Sequence, residues 1–140
     1  MIRRYATRGF TLIELLLVLV ILTALAAVVV PKFVGRGKQA KITAATTDIS
    51  SLGTALDAFE VDNGRFPTSA EGLGALSVAP GGLTTWKGPY IDRAVVNDPW
   101  GNPYVYVCPG THNPDSYDLH SFGPDGQDGT EDDIDNWTTH

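Results

Sequence analysis

Six carboxylates fall within 11 residues near the C-terminus: Asp125, Asp128, Glu131, Asp132, Asp133 and Asp135. They repel one another unless a cation or solvent stands between them. Gly123, Pro124, Gly126 and Gly129 turn the backbone tightly through the same stretch. Oxygen donors alone, with no His or Cys among them, suit a hard cation such as Ca²⁺. The spacing is not that of an EF-hand loop, which sets a Gly at its sharp turn and a bidentate Glu at its end. A solvated acidic turn has the same composition, and the residues alone leave both readings open.

A further carboxylate stands by itself. Glu14 lies in an apolar run over residues 10–30, where Thr11 and Thr23 are the other polar members. As a helix that run is about 31 Å long, the thickness of a bilayer's hydrocarbon core. An acid there costs a few kcal/mol, so it either snorkels to the headgroups or has a partner. If the chain is cut after Gly9, Phe10 gains a free α-amino group one helical turn, i to i+4, from Glu14. In an array of parallel helices the Glu14 of one chain then faces its neighbour's amine. Arg3, Arg4 and Arg8 precede the run, which places the N-terminus in the cytoplasm and the C-terminal bulk outside. A secretory signal peptide also begins this way, but the run is long for one and no small-x-small cut site follows before Pro31.

These groups must be positioned by a chain of 140 residues with net charge −6, one domain's worth by length. The charge is segregated: a basic head, an apolar rod, and a tail from Ala94 onward with acids and no Lys or Arg. This excludes a freely soluble cytosolic domain, general disorder, and, for want of a basic patch, nucleic-acid binding. The single Cys108 excludes an internal disulfide; within Tyr-Val-Tyr-Val-Cys it reads as a small buried strand residue.

The elements follow from periodicity. Pro31 should kink or locally melt the rod. Ile42, Ala45, Ile49, Leu52, Leu56 and Phe59 then recur at helical spacing, predicting an amphipathic helix over 38–62 that packs on its own domain rather than as a coiled coil. Asn63-Gly64 stops it. Thr68-Ser69-Ala70-Glu71 is a capping box before a short helix holding Leu73 and Leu76. Strands are predicted over 104–108 and 117–122, joined as a hairpin through 109–114, with a third over 90–96. The alternation in the second strand sets Tyr117, Leu119 and Ser121 on one face and Asp118, His120 and Phe122 on the other. The fold class is α+β: a long N-terminal helix, transmembrane in its first half and amphipathic in its second, packed by that second half on a small antiparallel sheet. The chain divides into a leader (1–9), a transmembrane helix (10–30), its amphipathic continuation (31–64) and a globular domain (65–140). The domain has a loop region at 65–103 and the sheet with the acidic loop at 104–140. No catalytic constellation appears around His112, His120 or His140, and Trp86, Trp100 and Trp137 read as packing aromatics.

Gly9-Phe10-Thr11-Leu12-Ile13-Glu14 before a long apolar helix resembles the class III signal of type IV pilins and pseudopilins. Asp62-Asn63-Gly64-Arg65-Phe66-Pro67-Thr68, Asp98-Pro99-Trp100-Gly101-Asn102-Pro103-Tyr104, Ser121-Phe122-Gly123-Pro124-Asp125-Gly126 and Ile134-Asp135-Asn136-Trp137 resemble the major pseudopilins of type II secretion systems. The resemblance covers nearly the whole chain. It implies a pilin-like fold, cleavage between Gly9 and Phe10 by a prepilin peptidase, N-methylation of Phe10, and assembly through Glu14. It implies Ca²⁺ bound by the side chains of Asp125 and Asp132, with Asp133 as a further ligand or support and backbone carbonyls from Phe122, Gln127 and Thr130. It implies a non-enzymatic homo-oligomer, a pseudopilus filament. Its partners would be minor pseudopilins, an inner-membrane assembly platform, the peptidase and membrane lipids. The chain would be single-pass in the bacterial inner membrane with its C-terminal domain in the periplasm, helping to push folded proteins through the outer membrane. The alternatives are a type IV pilin subunit of a surface fibre and a membrane-anchored calcium-dependent enzyme or binding module.

Overall fold

The computed structural model describes residues 9–93 and 97–138, leaving aside the side chains of 30–34. The chain forms two compact units, Met1–Gly37 and Lys38–His140. Helix α1, Leu12–Asn63, contributes to both.

In the first unit α1 begins at a side-chain cap. Thr11 Oγ1 accepts the Glu14 amide at 3.3 Å, and the Thr11 carbonyl accepts the amides of Glu14 and Leu15, so the orphan donors of the first turn are met. Leu12–Val29 has a mean hydropathy of 3.0 with none of it buried, a helix long and apolar enough to cross a membrane. The helix is not interrupted at Pro31, contrary to the expected local melting. Proline forfeits one bond, to the Ala27 carbonyl, and its neighbours can hold the turn.

The second unit has its own core. Ala45, Ile49, Leu52, Ala55, Leu56 and Phe59 of α1 are buried with Ala75, Leu76, Tyr104, Tyr117, Leu119 and Ile134. The 3–4 spacing therefore reads the face correctly, with Ile42 half-buried at its start. Leu52, Leu56 and Phe59 are fully covered, each stabilising by roughly 1.5–3 kcal/mol. Gly53 on the same helix brings the backbone close to the Tyr117 hydroxyl, 3.1 Å from where a Cβ would sit. Gly64, at φ 70, ends α1 by donating its amide to the Glu60 carbonyl at 2.7 Å.

The capping box forms as expected: Glu71 accepts the Thr68 amide at 2.8 Å and Thr68 Oγ1 accepts the Glu71 amide at 3.3 Å. Arg65 grips the same carboxylate with two bonds, 2.7 and 2.8 Å. The short helix that follows is a 3-10 turn, Leu73–Leu76.

The sheet has three antiparallel strands in the order β1 (Val105–Val107), β2 (Asp118–Ser121), β3 (Ile134–Asp135). Val105 pairs with His120 and Ser121 with Ile134. The first two strands are shorter than expected by one residue at each end. The third differs in place. Tyr90–Arg93 carries no strand, because the Tyr90 amide bonds the Leu76 carbonyl instead of a neighbouring strand; residues 94–96 of that expectation lie outside the described residues. β3 takes its place, extended by Asn136, whose side-chain oxygen accepts the Leu119 amide. Both faces of β2 are covered, since all four of its residues are buried. Leu119 enters the core beneath α1. Asp118 is covered by the 111–113 connection, whose three amides it binds, and His120 by Phe122 and Trp137.

Candidate functional site

The acidic stretch sorts into two groups. Asp128, Glu131 and Asp135 make no bonds to one another: Asp128 meets His120 Nε2 at 3.1 Å, Glu131 is exposed, and Asp135 accepts the Trp137 and Thr138 amides. Asp125, Asp132 and Asp133 shape a loop. It opens with a 3-10 turn, Gly123–Asp125, and reverses at left-handed Gly126, while Asp125 Oδ1 accepts the Gln127 amide at 2.9 Å. Gly129 donates its amide to Asp133 at 2.8 Å. Thr130 Oγ1 lies 2.8 Å from Asp132 Oδ1, 3.3 Å from the Gln127 carbonyl and 3.4 Å from Asp133 Oδ1. One hydroxyl has one proton, so the Asp132 bond is the one it donates.

The loop closes at Gly123. Its φ is +64, and a Cβ there would overlap the Asp132 carbonyl oxygen. The Asp132 carboxyl is held below the usual range, first by the Thr130 hydroxyl, with the amides of Asp132 and Asp125 and the charge of Lys38 assisting against desolvation. It is therefore an anion at neutral pH.

Among the described residues no three Asp, Glu, His or Cys side chains converge enough to hold a metal by themselves. The oxygens that do gather are the Asp132 carboxylate, the Thr130 hydroxyl and the Gln127 carbonyl, with Asp133 at the margin. Asp125 faces its own turn, and Phe122 immediately precedes it. All these donors are hard oxygens on a backbone closed by positive-φ glycines, a set that fits Ca²⁺ once the carboxylates are drawn inward.

In the uncut chain Phe10 lies just ahead of α1, because Thr11 caps the helix. Glu14 sits in the first turn, where the macrodipole favours a negative charge. Thr11-Leu12-Ile13-Glu14 has the spacing of a capping box, a signal the sequence reading passed over. Gly9 and Phe10 are exposed, Phe10 at 75%.

The aromatic residues pack. Trp86 Nε1 donates to the Ala75 carbonyl, Trp100 lies against the core, and Trp137 stacks on His112 at 4.1 Å. Cys108 is half-buried just past β1 rather than fully covered.

Residues 32–137 match the family model "Type II secretion system (T2SS), protein G", and residues 4–30 match the prokaryotic N-terminal methylation motif. The chain belongs to the type II secretion system protein G family, the major pseudopilins. Curated core protein G relatives include that of Pseudomonas aeruginosa, 46% identical over 96% of this chain and 98% of the relative. That of Escherichia coli K12 is 47% identical over 93% and 90%. The crystal structure of the major pseudopilin from the type 2 secretion system of enterohaemorrhagic Escherichia coli superposes with a TM-score of 0.64 at 37% identity, covering 79% of this chain and 98% of that one. A pseudopilin is a structural subunit and not an enzyme; it works within the pseudopilus and the secretion machinery. The surface-fibre and calcium-enzyme alternatives are thereby set aside. The shared fold is the helix packed on the three-stranded sheet described above.

Proposed function

We propose that this pseudopilin is inserted single-pass in the bacterial inner membrane, its second unit in the periplasm. A prepilin peptidase cuts it after Gly9 and Phe10 is methylated. It then joins a homo-oligomeric filament with minor pseudopilins, on an inner-membrane assembly platform. Growth of that rod helps push folded proteins through the outer membrane. The observation that carries this reading is the wholly exposed apolar span Leu12–Val29, with Glu14 as its one charge. Membrane lipid covers such a surface before assembly and neighbouring helices cover it afterwards. Glu14 is then close to the new amine of a neighbour's Phe10, and their pairing offsets the cost of an acid at that depth.

We further propose that the loop binds Ca²⁺ through Asp125 and Asp132, with Asp133 supporting and with the carbonyls of Phe122, Gln127 and Thr130. The cation supplies positive charge that relieves carboxylate repulsion and orders a glycine-rich loop.

Glu14→Ala tests the assembly reading in a host lacking its own major pseudopilin. The variant should insert at least as well as wild type, because it removes an intramembrane charge, and should form no filaments. Normal filaments would defeat the pairing. For the loop, Asp125→Ala and Asp132→Ala should each abolish the Ca²⁺-induced rise in melting temperature, whereas Asp115→Ala should not. Equal stabilisation by NaCl at matched ionic strength would return the loop to a solvated acidic run.

A further inference from the structure

We propose that Ser121 and Asp98 are positioning residues for the cation loop, fixing the Phe122–Gly123 peptide so that the Phe122 carbonyl faces the cation. The proposal rests on the calcium reading above. Ser121 is fully buried and Asp98 is 5% exposed. The Ser121 hydroxyl donates to Asp98 Oδ2 and accepts the Gly123 amide at 3.1 Å. That amide belongs to the same peptide unit as the Phe122 carbonyl. The bond is trans, since the cis peptides among the described residues are Gly88-Pro89 and Cys108-Pro109. In a trans peptide N–H and C=O point in opposite directions. Pinning the Gly123 N–H inward on Ser121 therefore turns the Phe122 carbonyl away from the buried pair.

Asp98 is itself held rigidly. Its Oδ1 accepts the amides of Trp100 and Asn102 at 3.0 and 2.9 Å, and its own amide bonds the Asn102 carbonyl at 2.7 Å. Asp98 thus links a preformed turn to the start of the Gly123–Asp125 segment through one hydroxyl. Among the described residues no cation pairs with this carboxylate, so its charge also favours a cation nearby. Outer partners of this kind orient metal ligands, and their loss commonly weakens metal affinity 10–100-fold.

The test uses the full chain in detergent micelles, comparing wild type, Ser121→Ala and Asp98→Asn. Ca²⁺ is titrated calorimetrically, and melting is followed in EGTA and in saturating Ca²⁺. Ser121→Ala should weaken Ca²⁺ binding about 10-fold or more, with a smaller loss of melting temperature in EGTA than in Ca²⁺. The Gly123 amide resonance should lose its hydrogen-bonded shift. Asp98→Asn keeps the shape and the Oδ1 acceptor but places an NH₂ or a neutral oxygen against Ser121. It should weaken Ca²⁺ in the same direction, and it carries the comparison if Ser121→Ala does not fold. Unchanged affinity in both variants beside a responsive wild type, or equal losses of melting temperature with and without Ca²⁺, would overturn the positioning role alone. A wild type that takes up no Ca²⁺ would overturn the calcium reading and this proposal with it.

Discussion

Gly123 and Gly129 both have positive φ, +64 and +83, yet alanine should affect them very differently. At Gly129 nothing lies within 4 Å of the new Cβ, so the cost is conformational, about 1–2 kcal/mol for a left-handed L-residue. At Gly123 the Cβ would also overlap the Asp132 carbonyl. That obstacle is backbone, and no rotamer change clears it. Forcing the segments apart adds about 1–3 kcal/mol, for a total of about 2–5 kcal/mol. A unit of roughly 100 residues loses about 4–8 °C per kcal/mol. Gly129→Ala should therefore melt about 4–16 °C lower and Gly123→Ala about 8–40 °C lower. Tryptophan fluorescence of the full chain in micelles reads this cleanly, since all three tryptophans lie in the second unit and the apolar span has none. Gly123→Ala should also lose its response to Ca²⁺. If it melted within a degree or two of Gly129→Ala, the loop would be able to open at Asp132 without penalty, and the closure described above would not hold it.

Two further outcomes follow from the second unit. Phe59 is fully buried, with Tyr90 edge-on at 5.5 Å, so Phe59→Ala should cost about 3–5 kcal/mol and lower the denaturant midpoint without loss of the first-unit helix by circular dichroism. The Glu71 carboxyl is held down at about 2 by its bonds to Arg65 and the Thr68 amide. A depressed acid stabilises above its unfolded value of about 4.3 and loses that contribution as pH falls toward 2. Glu71→Gln should therefore be less stable than wild type at pH 7 and converge with it near pH 2. A constant gap across that range in urea titrations would mean that packing rather than charge explains the loss.

The amphipathic face of α1 was legible because burial there depends on local spacing: every residue from Ala45 to Phe59 expected inside is inside. The loop's chemistry was legible from residue type, but its sorting was not. Nothing in the order of residues says that Asp128 will meet His120 or that Asp135 will cap the C-terminal turn. The buried character of β2 was hidden for a related reason. Asp118 is buried because three amides from 111–113 converge on it, and those donors are backbone groups that every residue carries. β3 was missed because two residues in an acidic stretch give no period to read, and a side chain, Asn136, continues the pairing.

Both margins of this sheet are blunted against pairing with another chain. The outer strands are three and two residues long, too short to template another chain. Beyond β1 the Ser69 hydroxyl accepts the Cys108 amide at 2.9 Å and donates to the Cys108 carbonyl at 3.1 Å, occupying with one side chain the two backbone groups an intruding strand would seek. Pro109 follows at once and offers no donor. Past β3 the Asp135 carboxylate covers the amides of Trp137 and Thr138. Neither margin therefore offers another copy of the chain an open edge for amyloid-like stacking.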